Sequence, residues 1–457
     1  MGAGRGGRVR RPRPLLLSRL PSGRGATEQP NMTDEYARLT PAFWGLLLAT
    51  AVAAGLLGSA LMLLLTTVEH LAFGYDSGTL EDAAEHASAA RRVLSLAAAG
   101  VFGGVAWYLL RRYVPGRTDV DEAVWRGDGE LGFRRSVGTS VVSIIVVGMG
   151  VSLGREAAPK LMAAAFGSLV GRWAALSTAQ RRLLVACGGG AGFATVYNVP
   201  LSGALFTAEI LLGSMALPVV LPALACAVVA TAVGWVFLGD APTYTGVPDY
   251  PFLPAELVWA VLAGPVIGGL AVGLVRLIGW VSHHHPRGRW ALVAPLGATL
   301  VLGVIGIWLP QLFGNGKGIA HDAFLGASPV SLLVALALLK PLVTTLCLGS
   351  GMSGGLFTPV LSTGAALGGV LGAAWSLVWP GAPGGAYAML GAAALIGAAM
   401  QAPLSALALM IELTHVGFGL MVPMTVAVVL ATAVARRVDG YSIYSARLSA
   451  APSTISP

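Results

Sequence analysis

Apolar runs of membrane-spanning length recur along the chain, at 41–66, 93–110, 216–238, 255–279, 291–309, 329–348 and 417–435. Each approaches or exceeds the roughly 20 residues with which a helix crosses a hydrocarbon core of about 30 Å. The runs are apolar all round and do not alternate in polarity, so they predict helices and not the strands of a membrane barrel. Between them lie apolar pieces too short to span, such as 136–150, 184–197 and 388–400, separated by Gly, Asn or Pro instead of polar loops. Free backbone groups cannot face lipid, so these pieces must end inside protein. The pattern predicts an all-α polytopic membrane protein built partly from broken and tilted helices.

Composition adds that only 11% of the 457 residues are charged and 62 are Gly, with a mean hydropathy of +0.75; a water-soluble domain is excluded. The formal charge of +8 is carried by the N-terminal segment and short loops, so it bears on topology and not on nucleic acid. Arg111, Arg112, Arg117, Arg126, Arg134 and Arg135 share one loop, whereas the stretch from Glu69 to Glu85 is acidic. The positive-inside rule then places the 111–135 loop and the N-terminus in the cytosol. Residues 1–40 are expected to be a basic, disordered tail, with Met32 as an alternative start. Cys187, Cys226 and Cys347 lie singly in apolar stretches and are expected as buried thiols. No metal or cofactor is expected. "SHHHPRGR" (282–289) lacks the i, i+4 spacing of a helical metal site, and "GNGKG" (314–318) lacks the Ser/Thr and spacing of a phosphate loop.

Comparing the chain with itself reveals a repeat. "NVPLSGALFTAEI" (198–210) and "QAPLSALALMIEL" (401–413) align at a constant offset of 203, pairing Pro200 with Pro403, Ser202 with Ser405 and Glu209 with Glu412. About 40 residues before each match stand the two most glycine-interrupted segments, "GMGVSLGREAAPK" (148–160) and "GSGMSGGLFTPV" (349–360). The expected division is membrane repeat 1 at 41–238, an extramembrane linker at 239–254, membrane repeat 2 at 255–437 and a C-terminal segment at 438–457. Two repeats of inverted topology, each with a helix broken by Gly and Pro, point to a binding site near the midplane where half-helix N-termini converge.

A helix N-terminus presents unpaired N–H groups and partial positive charge, so in a low-dielectric setting it favours an anion. "GGLFTP" (354–359) offers the amides of Leu356, Phe357 and Thr358 with no acid nearby. "GREAAP" (154–159) offers a similar cradle around Arg155 and Ala157 but plants Glu156 at its mouth. Glu156 is therefore expected to act as a gate, occupying the anion's place until protonated or displaced; the plainer alternative is an acid that offsets the helix dipole. Lys340 either raises the local potential for anions or snorkels from a helix end. Glu209 and Glu412 are each a proton relay or a structural acid. An intramembrane enzyme is a remote alternative. The apolar segments carry no paired GxGD aspartates, no Ser/His pair and no zinc helix.

These residues resemble the CLC chloride channel and chloride/proton antiporter family. The four matching segments are "GMGVSLGREAAP", "GSGMSGGLFTP", "YNVPLSGALFTAEI" and "GYSIYSARL", and the likeness spans about 40 to 448. The resemblance implies a CLC-like fold and transport of chloride and other small anions. It also implies a homodimer in the lipid bilayer with one anion pathway per subunit, here in a bacterial inner membrane with both termini cytosolic. Carried over, Glu156 is the external gate, the amides around Arg155 to Ala157 and Leu356 to Thr358 are chloride ligands, and the Tyr444 hydroxyl is a central ligand. Three departures stand out, the first being that "GREAAPK" sets its proline one residue later than GREGP and adds Lys160, which bears on gate geometry or anion preference. The family's GSGIP serine is absent where this chain reads "RTDVDEAV", leaving Thr118 as a possible inner hydroxyl ligand and, with Asp121 three residues on, as a helix cap. The antiporters' internal proton-accepting glutamate is replaced by Ile210, with Glu209 as a possible relay. The expected function is therefore a gated chloride channel, with chloride/proton exchange as the alternative. No cytosolic nucleotide-binding regulatory domain fits after Arg437.

Overall fold

A computed structural model describes residues 39–448, so all but the last two residues of the basic 1–40 segment, and the tail after 448, lie outside the described residues. Seventeen α-helices follow one another within them. The first half contains α1 (Pro41–Phe73), α2 (Leu80–His86), α3 (Ala89–Tyr113), α4 (Val120–Trp125), α5 (Phe133–Gly148), α6 (Ala157–Trp173), α7 (Thr178–Tyr197), α8 (Pro200–Leu205) and α9 (Leu217–Leu238). The second contains α10 (Pro254–His283), α11 (Trp290–Ile305), α12 (Lys317–Phe324), α13 (Val330–Gly349), α14 (Phe357–Ser376), α15 (Gly384–Met400), α16 (Pro403–Thr414) and α17 (Met421–Val438).

Among the described residues seven helices are long and apolar enough to cross a membrane: α1, α3, α9, α10, α13, α14 and the stretch Phe418–Val438 that includes α17. Six coincide with runs expected from hydropathy. The run 291–309 differs, because α11 ends at Ile305 after 16 residues, with Gly306 at its C-cap and Pro310 opening a separate 3₁₀ turn. In addition α14, of which only the N-terminus at "GGLFTP" was read from the sequence, extends through 20 residues.

Local chemistry sets the helix starts. Thr40 Oγ1 accepts from Phe43 N at 3.2 Å above Pro41 of α1, and Ser177 and Gln180 cap each other's backbone at the head of α7. In lipid, helices associate through close packing and not through a hydrophobic drive, so small residues line their contacts. At the α14–α15 contact a Cβ on Gly368 would stand 2.8 Å from Gly391 Cα, a spacing no side chain tolerates. The residues Gly385–Met400 of α15 are buried throughout, which places this helix in the centre of the core.

The repeat seen in the sequence has a backbone counterpart. Asn198 and Gln401, 203 positions apart, both adopt the left-handed region at φ 57° and end α7 and α15, and Pro200 and Pro403 then begin α8 and α16. The halves diverge just beyond: α16 stays α-helical through Thr414, whereas α8 passes into a π-helical turn at Phe206–Leu211. Trp125 Nε1 donates to the carbonyls of Ile210 (3.2 Å) and Leu211 (2.8 Å) at the end of that turn.

Candidate functional site

The two glycine-rich segments meet. Gly150 (φ 102°) and Gly351 (φ 93°) turn the chain after α5 and α13 in conformations that L side chains rarely adopt. Four residues on, Gly154 N donates to Gly355 O at 2.7 Å and Gly355 N to Gly154 O at 2.8 Å, an isolated antiparallel bridge. This reciprocal pair sets the N-termini of α6 and α14 side by side.

Glu156 precedes α6 but caps nothing there: its side chain makes no hydrogen bond to its own helix. Instead Oε1 accepts from the Phe357 amide at 2.7 Å, at the start of α14. Oε2 accepts from the Tyr197 hydroxyl at 3.0 Å and lies 3.5 Å from Thr358 Oγ1. The carboxylate, 6% exposed, thus sits at the helix N-terminus that "GGLFTP" opens. Room for it comes from the bridging glycines, since a Cβ on either Gly154 or Gly355 would collide with the carboxylate oxygens. Arg155 lies over the Tyr197 ring, its guanidinium carbon 5.1 Å from the centroid, and its buried Nε has no hydrogen-bond partner. Ala157 opens α6.

Next to this cradle is a second polar space. A cavity of about 60 Å³ is lined by residues that include Thr118, Asp121, Ser143, Ala157 and Lys160. Lys160 Nζ lies 3.0 Å from Asp121 Oδ2, 4.8 Å from the Tyr444 ring centroid and 5.7 Å from that of Phe206. Tyr444, the expected central ligand, packs its ring edge-on against Phe206 at 5.8 Å. Thr118 lines the cavity but does not cap α4. That cap is Asp119, whose Oδ1 accepts from Glu122 N at 2.8 Å, because the helix begins one residue later than the Thr118–Asp121 spacing requires.

Residues 102–436 match the family model described as voltage gated chloride channel, which is well over half of the chain. The chain belongs to the voltage gated chloride channel family. It is 32% identical over 411 residues to "Voltage-gated ClC-type chloride channel ClcB" of Salmonella typhimurium, covering 88% of this chain and 96% of that protein. Two solved structures share the fold at 22% identity, each covering 89% of this chain and 97% of the other. One is described as a slow cyanobacterial Cl-/H+ antiporter (TM-score 0.77) and the other as a CLC-type fluoride/proton antiporter (TM-score 0.70).

Within this family fold Glu209, Glu412 and Lys340 find defined places. The Glu209 carboxylate accepts from Leu404 N (3.2 Å), Ser405 N (2.8 Å) and Ser405 Oγ (2.7 Å) at the head of α16. Glu412 does the same at the head of α8, accepting from Leu201 N (2.9 Å), Ser202 N (2.7 Å) and Ser202 Oγ. Each half thus caps the other. Lys340 does not snorkel from a helix end. It is fully buried, and its Nζ donates to the carbonyls of Leu312 (3.0 Å) and Gly314 (2.8 Å), fixing the chain that leads into α12. The three cysteines are buried and free, as expected, and the rings of His283, His284 and His285 each contact a backbone carbonyl.

Tyr197 and Asp121 were not singled out from sequence as site residues. Tyr197 had one signal, a lone bulky phenol closing the small-residue run "GGGAGFATVY" directly before the NVP turn. Asp121 had none, because its partner lies 39 positions away.

Proposed function

We infer that the protein conducts chloride across the membrane as a gated channel, with Glu156 as the gate. The observation that carries this is the Glu156 carboxylate held by the Phe357 amide at the N-terminus of a helix from the opposite half. Partial positive charge at that N-terminus attracts any anion, so the tethered carboxylate and a free chloride compete for one place. Protonation discharges the carboxylate and removes its advantage. Chloride then takes the Phe357 amide together with neighbouring N–H groups from Leu356 to Thr358, and the Arg155 to Ala157 segment frames the opposite wall. A neutral phenol such as Tyr444 donates one O–H and holds an anion without trapping it.

A channel and not an exchanger is favoured by two features. Ile210 carries no titratable group, and the Glu209 carboxylate is engaged by three donors of α16, which suits a cap better than a proton relay. The halves are taken to be of inverted topology and the protein to be a homodimer in a bacterial inner membrane, with the basic 111–135 loop and both termini cytosolic. The deciding experiment is the reversal potential of the purified protein in liposomes under a chloride gradient, with and without a pH gradient. A value that follows chloride alone supports the channel, and proton movement uphill against its own gradient, driven by chloride, overturns it in favour of exchange.

A further inference from the structure

The Asp121–Lys160 ion pair lies in the polar cavity beside the Glu156 cradle and has no part in the gate described above. Both side chains are nearly buried, at 9% and 12% exposed, with Nζ 3.3 Å and 3.0 Å from the two carboxylate oxygens. Lys160 stands in the first turn of α6, where the helix dipole disfavours a cation. A buried pair of this kind seldom improves on well-packed apolar side chains in stability, so its position calls for another explanation. Ser143 supplies a second pointer to a ligand: it lines the same cavity, is 3% exposed, and its hydroxyl has no hydrogen-bond partner. The space, about 60 Å³, holds on the order of two water molecules and so accommodates a small anion. Ala157 and Gly354, which flank the Glu156 cradle, also line it, so it adjoins the anion route.

We propose that Lys160 is the ammonium of an inner anion subsite and that Asp121 is its tethered competitor, so that the pair forms a second gate in series with Glu156. An anion arriving from the cytosolic side takes Lys160 from Asp121, with the Ser143 hydroxyl donating to it, and moves on toward Tyr444, whose ring lies 4.8 Å from Nζ. The other charged groups facing this space are Asp119, whose carboxylate is engaged at the head of α4, and Arg447. The proposal rests on the chloride-conducting assignment and specifies how that route is regulated from inside.

The test is chloride binding by isothermal titration calorimetry on the full chain in detergent, alongside chloride efflux from liposomes. Asp121→Asn frees the ammonium and is expected to tighten chloride binding about tenfold, the scale of one charge-assisted hydrogen bond. Lys160→Met is expected to weaken binding by a similar factor, and Lys160→Arg to retain it. The double variant Lys160→Met/Asp121→Asn is expected to bind no more tightly than Lys160→Met alone by more than a few-fold. The proposal is overturned if Asp121→Asn and Lys160→Met weaken binding equally while the double variant restores wild-type affinity, the pattern of a purely structural pair. It is also overturned if chloride affinity ignores all these changes. Where Lys160→Met fails to fold, Asp121→Asn and Lys160→Arg still decide the matter. Absence of chloride flux from wild-type protein would sink the conduction assignment separately, since the calorimetric readout does not depend on transport.

Discussion

Removing the hydroxyl of Tyr197 should loosen the gate without touching the gate itself. Glu156 has two close donors, the Phe357 amide at 2.7 Å on Oε1 and the Tyr197 phenol at 3.0 Å on Oε2. Tyr197→Phe keeps the ring, and with it the packing against Phe193 and Phe357 at 5.2 and 5.5 Å, and deletes one donor to a charged acceptor. Such a bond is worth about 1.5–3 kcal/mol. Part of that returns as Thr358 Oγ1, at 3.5 Å, closes on the freed oxygen. A net loss of about 1.4 kcal/mol corresponds to roughly a tenfold fall in the ratio of occupied to vacated cradle. The lost donor favoured the charged form, so its loss makes protonation easier and moves the midpoint of the pH–activity curve up. Chloride efflux from liposomes, recorded with a chloride electrode between acid and neutral pH, reads both quantities. A variant that melts like wild type yet shows the same efflux and the same midpoint would refute the role given to Tyr197.

The other predictions concern the charges placed away from the gate. Glu412→Gln weakens the cap on α8 and should lower stability by about 1–2 kcal/mol, seen as a lower melting temperature in detergent, with the reversal potential unchanged. Glu209→Gln should behave alike at α16; a variant that melts normally but alters proton movement would instead put Glu209 on a proton route. Lys340→Met leaves the carbonyls of Leu312 and Gly314 without their buried donor, at about 1–3 kcal/mol for each unsatisfied group. Thermal melting should detect this loss, while anion selectivity measured from bi-ionic reversal potentials should not change.

Much of this architecture was legible because the bilayer imposes its own rules on sequence. Helix lengths follow from apolar run length, and six of the seven candidate spans fall where hydropathy puts them. The exception at 291–309 turned on Gly306 and Pro310, local breakers inside a run whose average hydropathy hides them. Glu156 was legible because a carboxylate among glycines at a broken helix has few uses in lipid. Which donors would hold it was legible only in part. Phe357 followed from the motif, but Tyr197, although it opens the segment "YNVPLSGALFTAEI", reaches Glu156 across 41 positions that no spacing rule links. The partners of Lys340 were hidden for a related reason: the carbonyls it satisfies lie 26 and 28 positions earlier, and no spacing rule links a lysine to backbone oxygens. The reciprocal carboxylates illustrate the opposite case. The 203-residue repeat paired Glu209 with Glu412 correctly, and only the fold revealed that each serves the other's helix.

The central claim, that Glu156 and chloride compete for one cradle, is tested most directly by chloride efflux as a function of pH for wild type and Glu156→Gln in the same liposomes. The wild-type efflux should rise as pH falls and the carboxylate is discharged, whereas Glu156→Gln should be active at neutral pH and show no such rise. A well-folded Glu156→Gln protein whose efflux keeps the wild-type pH dependence would contradict the account.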